Sequence, residues 1–444
     1  MSNAKVVHVP LETERWPIKR EWVHLDDLCE GVFDCPHSTP TIKESGPYVV
    51  RSQDIRSGVF RTDEAARVSE ETYTERIARA EPRYGDVLYS REGTYFGIAA
   101  EVPKATRVCL GQRMVLIRPK PDKLNSRFLR FWLNSPTLSR HINGFRDGTV
   151  AERLNMPIIR SLPVPLIDPL EQRAIVSVLG SLDDRIDVNR RMNETLETAA
   201  RGIFKDWFVD FGPTRAKIGD RPPYLASKLW KLFPDRLDDE GKPSGWRSGT
   251  LRDLAQLNPE VWKAGTAPDV IEYVDLSNTK WGVIEETQTL SWVDAPSRAQ
   301  RILRPGDTIV GTVRPGNGSF ALVGVEGLTG STGFAVLRPS RKEFREVVYL
   351  AATATETIER LAHLADGAAY PAVRPDVVTA QTLVVSSSEC LKAFSQLTAP
   401  LLDRAQSNRT ESSLLGTLRD LLLPKLMSGE IRLRDAEKLV NQVA

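Results

Sequence analysis

Cysteine is scarce: four residues, scattered at 29, 35, 109 and 390, suggest no disulfide framework and fit a reducing cytoplasm. No stretch approaches the apolar length of a membrane span, and the charged-then-apolar pattern of a secretory signal is missing. Charge of one sign is missing as well. Lys plus Arg number 60 against 58 acidic residues, so a nucleic-acid partner would have to be met by local patches rather than a global field. A G-x-x-x-x-G-K-[ST] loop and a G-x-S-x-G elbow are both absent, which argues against a self-sufficient ATPase or hydrolase. His24, Cys29, Cys35 and His37 fit no usual zinc spacing, so they read as loop and core residues and no metal is expected. What remains is a chain of 444 residues, too long for one core, with room for two to four domains.

The most informative stretch is Asp168 to Phe211. Asp168-Pro169-Leu170-Glu171 combines a carboxylate N-cap, proline at the first helical position and a glutamate placed to close a capping box. Ile175, Leu179, Leu182, Ile186, Asn189, Asn193, Leu196, Ala200, Ile203 and Trp207 then alternate steps of four and three, the a/d rhythm of a coiled-coil seam. A seam needs a partner. Displaced by 219 residues stand Phe394, Thr398, Leu401, Ala405, Asn408, Ser412, Leu415, Arg419, Leu422 and Leu426. Thr398 and Arg419 fit this second seam less well, which leaves open a rotation toward Leu402, Leu414, Leu418 and Leu421.

The displacement belongs to the whole chain. Trp22–Leu28 is echoed by Trp246–Leu254 with its Asp-Leu pair 226 residues on, and Tyr48-Val49 then Gly58-Val59 by Tyr273-Val274 then Gly282-Val283. Arg83-x-Gly-Asp-Val-Leu returns as Arg304-x-Gly-Asp-Thr-Ile, Leu116-Ile-Arg-Pro119 as Val336-Leu-Arg-Pro339, and Gly148 as Gly367. An offset that shrinks smoothly from 226 to 219 is what duplication followed by small loop deletions leaves, in two copies of one domain-plus-helix module.

Within each copy short β-type runs (Val87-Leu-Tyr89, Met114–Ile117, Leu162–Ile167; Thr308-Ile-Val310, Phe334–Leu337, Thr382–Val385) alternate with helical patterns at Ser126–Asn134 and Glu343–Leu364. The expected fold class is α+β: two similar mixed domains separated by two long antiparallel coiled-coil helices. The expected boundaries are a first domain at 1–167 with an arm at 1–20, a long helix at 168–211, a linker at 212–245, a second domain at 246–387, a long helix at 388–430 and a tail at 431–444. The linker holds an apolar island, Leu229–Phe233, whose packing partner is open. Two motifs in it have enzymatic look-alikes. Pro234-Asp235 with Glu240-Gly-Lys242 spells a metal-nuclease signature, but only four residues separate the carboxylates inside a polar linker. Arg221-Pro-Pro-Tyr224 spells a methyltransferase loop without the Asp, Asn or Ser that must accept the target amino proton.

Two similar domains, two long helices and no catalytic constellation resemble the specificity subunit of type I restriction-modification systems. The segments that carry the resemblance are Gly31-Val-Phe-Asp-Cys-Pro-His-Ser-Thr-Pro40, Gly111-Gln-Arg113, Pro169-Leu-Glu-Gln-Arg-Ala-Ile175 and Phe204-x-x-Trp207-Phe-x-x-Phe211. Gly367-x-x-Tyr370-Pro371 and Leu422-Leu-Pro-Lys-Leu-Met-Ser-Gly-Glu-Ile431 add to it in the second copy. The resemblance implies two target-recognition domains, each reading one half of a split site in double-stranded DNA. It implies docking of two methyltransferase subunits on the helices and of motor-nuclease subunits in the full complex. S-adenosylmethionine, ATP and Mg would then belong to those partners, with no cofactor on this chain and no membrane. The second helix departs from the pattern, starting Glu389-Cys-Leu-Lys392.

Base readout favours Arg for guanine, Asn or Gln for adenine and acids for cytosine. By that criterion the first domain offers Arg51, Ser52 and Gln53, Arg91, Glu92 and Tyr95, and Gln112 with Arg113; the second offers Ser277, Asn278 and Lys280, Arg314 and Asn317, and Ser331 with Thr332. Other Lys and Arg residues are expected on phosphates. In an antiparallel hairpin Asn189 should face Ser412, and Asn193 should face Asn408, polar layers that penalise slipped registers, unless these amides simply face solvent. The alternatives are a coiled-coil scaffold with no nucleic-acid role, and a self-contained DNA-modifying enzyme.

Overall fold

A computed structural model of the chain describes residues 20–443 apart from 56–57, 63–64, 94, 144–152, 264 and 368–370. Most of the N-terminal arm, Gly148 and Tyr370 therefore lie outside the described residues. The chain forms two compact units, Met1–Val188 with Glu411–Ala444, and Asn189–Thr410.

Unit 1 holds strands β1 (Trp22–His24), β2 (Cys29–Asp34), β3 (Lys43–Val50), β4 (Val87–Ser90), β5 (Ala99–Glu101), β6 (Val108–Leu110), β7 (Met114–Pro119) and β8 (Pro163–Pro165), with helices α1 (Glu70–Arg76), α2 (Ser126–Leu133), α3 (Pro136–Asn143) and α4 (Met156–Arg160). Its main sheet has the antiparallel order β2-β7-β4-β5, β3 lies parallel to β6, and β1 pairs with β8. Helix α5 (Pro169–Phe208) is common to both units, and the short helices α6 (Gly212–Ile218) and α7 (Ser227–Trp230) follow it.

Unit 2 holds β9 (Arg247–Thr250), β10 (Ala255–Leu257), β11 (Val270–Val274), β12 (Thr279–Lys280), β13 (Val283–Ile284), β14 (Gln288–Ser291), β15 (Ala299–Ile302), β16 (Thr308–Gly311), β17 (Phe320–Leu322), β18 (Leu328–Ser331), β19 (Phe334–Pro339) and β20 (Thr382–Val385). Its helices are α6 and α7 together with α8 (Arg345–Ala352), α9 (Thr355–His363) and α10 (Pro375–Thr379); α11 (Ser388–Ser428) starts in unit 2 and ends in unit 1, and α12 (Leu433–Val443) belongs to unit 1. The order β10-β19-β16-β17, the parallel pair β11 and β18, and the pair β9 and β20 match the pairings of unit 1, while β14 and β15 flank β11 and β18 in a four-stranded sheet and β12 pairs with β13, additions with no counterpart among the described residues of unit 1. The fold is mixed α+β, with one shared strand framework in both units.

The repeated motifs have a physical reason. In unit 1 the Gly-Asp turn buries Asp86, whose two carboxylate oxygens accept from Arg118 Nε at 2.8 Å and Nη2 at 2.7 Å, while Arg83 N–H caps the turn at 3.0 Å. In unit 2 Asp307 takes Arg338 through the same two nitrogens, both at 2.8 Å, and Arg304 N–H at 2.9 Å. A buried carboxylate is costly unless its oxygens are occupied, so the Asp and the Arg recur together.

Several expectations change in detail. The Glu343–Leu364 pattern is a 3₁₀ turn, Lys342–Phe344, then α8 and α9, broken where Thr353 turns its hydroxyl back to Tyr349 O at 2.7 Å. At the start of α5, Asp168 Oδ1 caps Leu170 N–H at 2.8 Å, but Glu171 closes no capping box: it pairs with Arg20 at 2.6 Å. Gln172, buried, accepts from Asn125 N–H and donates to Lys123 O and Ile167 O, each at 2.8 Å, stapling the helix start to the loops beside it. Arg173 stays exposed.

The linker carries α6 and α7, and its apolar island finds its partner on the first long helix: Phe233 meets Trp207 edge-on at 4.9 Å in a cluster with Phe208, Trp246 and Phe394. The C-terminal tail contains α12, whose Ala436 and Val440 are buried in unit 1's core.

Candidate nucleic-acid interface

In unit 1 the segment Gly31–Pro40 and the turn before β7 form one corner. Gly111 N–H donates to Val50 O at 2.8 Å, and a Cβ built at Gly111 would stand 2.5 Å from that oxygen, so only glycine lets the turn approach β3 this closely. The turn then carries Gln112 and Arg113, both exposed, past the end of β3 where Arg51 lies; Arg113 sits at φ 75°. Gln112 accepts from Thr39 Oγ1 at 3.1 Å and donates to His37 O at 3.4 Å, and Arg113 Nε lies 3.3 Å from Glu92. Arg51 is pinned by the buried Asp54, with its Nε at 3.0 Å and Nη2 at 2.9 Å from the two carboxylate oxygens. Gln53 is exposed beside it, while Ser52 and Tyr95 are half-buried. Arg91 is buried instead, its guanidinium 3.2 Å from Asp34, so it braces the corner and offers no open donor face.

Asp34, Cys35 and His37 bring their ligand-type atoms within 4.8 Å of one another. Burial pushes the Cys35 thiol up, and the Asp34 carboxylate is taken by Arg91 and by His37 Nε2 at 3.3 Å, so this is a hydrogen-bonded corner. Cys29 lies buried in β2 and His24 Nδ1 faces Ser161 O at 3.1 Å, away from that group.

In unit 2 the corresponding corner holds Ser277 and Asn278, hydrogen-bonded to one another at 3.3 Å, and Lys280, whose Nζ is 3.4 Å from Ser319 Oγ. Arg314 and Asn317 are exposed at the two ends of a tight turn, with Arg314 at φ 47° and its N–H on Pro371 O at 2.7 Å. Ser331 is buried and accepts from Gly333 N–H at 3.2 Å, which makes it a brace; Thr332 is half-buried, its N–H on Arg298 O at 2.7 Å. Arg298 itself, passed over in the sequence, reaches Asp275 at 2.6 Å and Tyr273 Oη at 3.0 Å beside these residues. Its only sequence signal was an arginine in a turn-rich segment.

The linker look-alikes are turn chemistry. Lys242 Nζ binds Asp238 and Glu240 at 2.6 Å each while Asp235 lies exposed, and Tyr224 Oη donates to Asp206 at 2.9 Å.

The long helices are organised within each unit. In unit 1, Ile175, Leu179 and Leu182 share a buried cluster with Leu415, Leu422 and Leu426, and Ile186 packs against it. Asp183 is held between Arg130 and Arg419, the latter at 2.8 Å; burial pushes its carboxyl up, but the two guanidiniums outweigh this and hold it below its ordinary value. In unit 2, Trp207 and Phe394 are buried with Ile203 and Leu401 against them, and Leu196 is half-buried. Asn408 is buried and donates to Asn193 Oδ1 at 2.9 Å; Asn189 is buried as well. Thr398, a weak position in the sequence pattern, is buried with its hydroxyl on Phe394 O at 2.8 Å, whereas Leu414 and Leu421 are exposed. The second seam therefore keeps Phe394, Thr398, Leu415, Leu422 and Leu426 of its original register, but Leu402 is buried where Leu401 is half-buried, and Leu418 packs against the core of unit 1.

Comparison with known proteins places residues 19–198 in a family whose model is described as the type I restriction modification DNA specificity domain. The chain is similar to the specificity subunit of the type I restriction enzyme HindI of Haemophilus influenzae, 24% identical over 78% of this chain and 86% of that protein. It is 23% identical to the MjaIX specificity subunit of Methanocaldococcus jannaschii, over 90% of this chain and 88% of that one. A crystal structure of a type I S subunit from M. genitalium covers 94% of this chain and 98% of its own at 16% identity, with a TM-score of 0.47. Among the described residues no helix is long and apolar enough to cross a membrane.

Proposed function

We propose that this chain, which belongs to the family of type I restriction-modification DNA specificity subunits, selects the duplex sequence on which partner methyltransferase and motor-nuclease subunits act, and carries no reactive centre itself. Unit 1 reads one half of a split site and unit 2 the other. The observation that carries this reading is the repetition of one strand framework with the same buried Asp-Arg forks, because two equivalent frames offer their variable corners to the same kind of ligand. The corner side chains, Arg51, Gln53, Glu92, Gln112 and Arg113 in unit 1 and Asn278, Lys280, Arg314, Asn317 and Thr332 in unit 2, make the base contacts. Arg91 and Ser331 act beneath them as braces.

The long helices, 40 and 41 residues, measure about 60 Å at 1.5 Å per residue, longer than the ~34 Å turn of B-DNA. Packed antiparallel, they set the gap between half-sites and dock the two methyltransferase subunits. The cross-helix pairs support the antiparallel sense: Asp183 meets Arg419 in one unit, Asn193 meets Asn408 in the other.

Methylation mapping of genomic DNA from cells carrying the whole system should reveal a bipartite site. Replacing residues 22–165 with another family member's equivalent should alter one half of it. If both halves changed, or if the isolated chain methylated or cleaved DNA, the reading would fail.

A further inference from the structure

Strands β12 and β13 of unit 2 are two residues each, joined by Trp281-Gly282 at φ 45° and 89°. Such a two-residue turn favours Asn-Gly, because a left-handed backbone crowds any Cβ and a bulky side chain most of all. Backbone strain of this kind gathers at binding sites. The turn is nevertheless seated. The backbone N–H of Trp281 donates to Gly318 O at 2.7 Å, and a Cβ built on Gly318 would come within 2.5 Å of the indole, so a bare glycine forms the seat beneath the ring. Phe320 meets the ring edge-on at 5.8 Å. The opposite face is open: Trp281 is 56% exposed.

Its surroundings are polar and hydrogen-bonding. Lys280 precedes it, and Asn317 and Arg314 lie exposed on the turn that leads into Gly318. Glu285 and Glu286 lie exposed just after β13, with Glu285 N–H on Asn278 O at 2.7 Å. Glu197, near Gly282, is engaged by Arg409. Cations, amides and acids around one anchored aromatic ring match the edges of base pairs, where amides and arginine pair with purines, acids with cytosine, and apolar groups with the thymine methyl. In the first copy the glycine corresponding to Gly282 is Gly58, and the residue before it is Ser57.

We propose that Trp281 makes an apolar contact with base pairs of duplex DNA in the half-site read by unit 2, and so determines specificity there and not in the other half. The proposal rests on the DNA-reading role above. It is tested in the full complex with its methyltransferase partner, by methylation mapping and by salt-controlled binding to the mapped duplex and to random-sequence duplex. Trp281→Asn suits the turn better than tryptophan and should unfold no earlier than wild type, while binding the mapped duplex roughly tenfold or more weakly and relaxing one base position in one half-site. Binding to random-sequence DNA should not change. Trp281→Phe, which keeps an aromatic face, should recover part of the affinity. Unchanged affinity and an unchanged site in Trp281→Asn would overturn the proposal and leave the DNA-reading role intact. A wild-type complex that methylates no bipartite site would overturn both.

Discussion

Asp183 on α5 offers the sharpest test of how the helices are held within unit 1. Its side chain is 11% exposed and that of Arg130 is 6% exposed, and Arg419 Nη1 closes the group at 2.8 Å. Removing one partner of a buried ion pair costs about 3–5 kcal/mol, because the remaining charge is stranded in a low-dielectric site. Here Arg130 keeps Glu101 at 3.4 Å and Arg419 is 27% exposed, so Asp183→Ala should cost about 2–4 kcal/mol. The repeat supplies the control. At the positions 219 residues away, unit 2 has Tyr349 for Arg130, Leu402 for Asp183 and Ala200 for Arg419, all buried in its core. An apolar solution therefore already exists in the same frame, and the triple variant Arg130→Tyr, Asp183→Leu, Arg419→Ala should recover to within about 1 kcal/mol of wild type.

The assay is hydrogen exchange of the α2 amides, residues 126–133, against urea, which reports unit 1 without assuming that the whole chain unfolds in one step. The pH dependence has a definite sign. The folded carboxyl titrates below its unfolded value of about 4, so its stabilisation is complete above that pH and is lost as pH falls through the folded pKa. The acid-side slope should be flatter in the triple variant. A loss below about 1 kcal/mol for Asp183→Ala, or a triple variant no better than the single one, would refute the reasoning.

Two further outcomes follow from buried groups. Burial pushes the Cys29 thiol up to about 12 and those of Cys109 and Cys390 to about 11, so native protein at pH 8 should resist thiol reagents and react only as it unfolds; fast labelling of folded protein would contradict this. Replacing both Asn193 and Asn408 with leucine should hold or raise the stability of unit 2 while weakening register, read as a second spacer length in methylation maps. Asn408→Ala alone should cost about 1–2 kcal/mol in urea unfolding, since it strands the Asn193 amide.

Most of the architecture was legible beforehand because its determinants are local or periodic. Glycine and aspartate before an apolar run mark a turn whatever surrounds it, a four-three alternation marks a helical seam, and a smoothly drifting displacement marks duplication. Thus β4, β7, β16, β19 and both long helices lie where the residue patterns put them. What the patterns could not carry was the pairing of distant polar groups. Glu171 has the spacing of a capping box, but its charge goes to Arg20, and Arg91 has the chemistry of a reader but is spent on Asp34. Arg419 looked like a flaw in a seam until Arg130 and Asp183 came alongside it. Local spacing is written into the chain, whereas the partner of a buried charge is whichever opposite group the fold brings within reach. Only the tertiary structure could therefore decide which polar side chains brace each corner and which remain exposed.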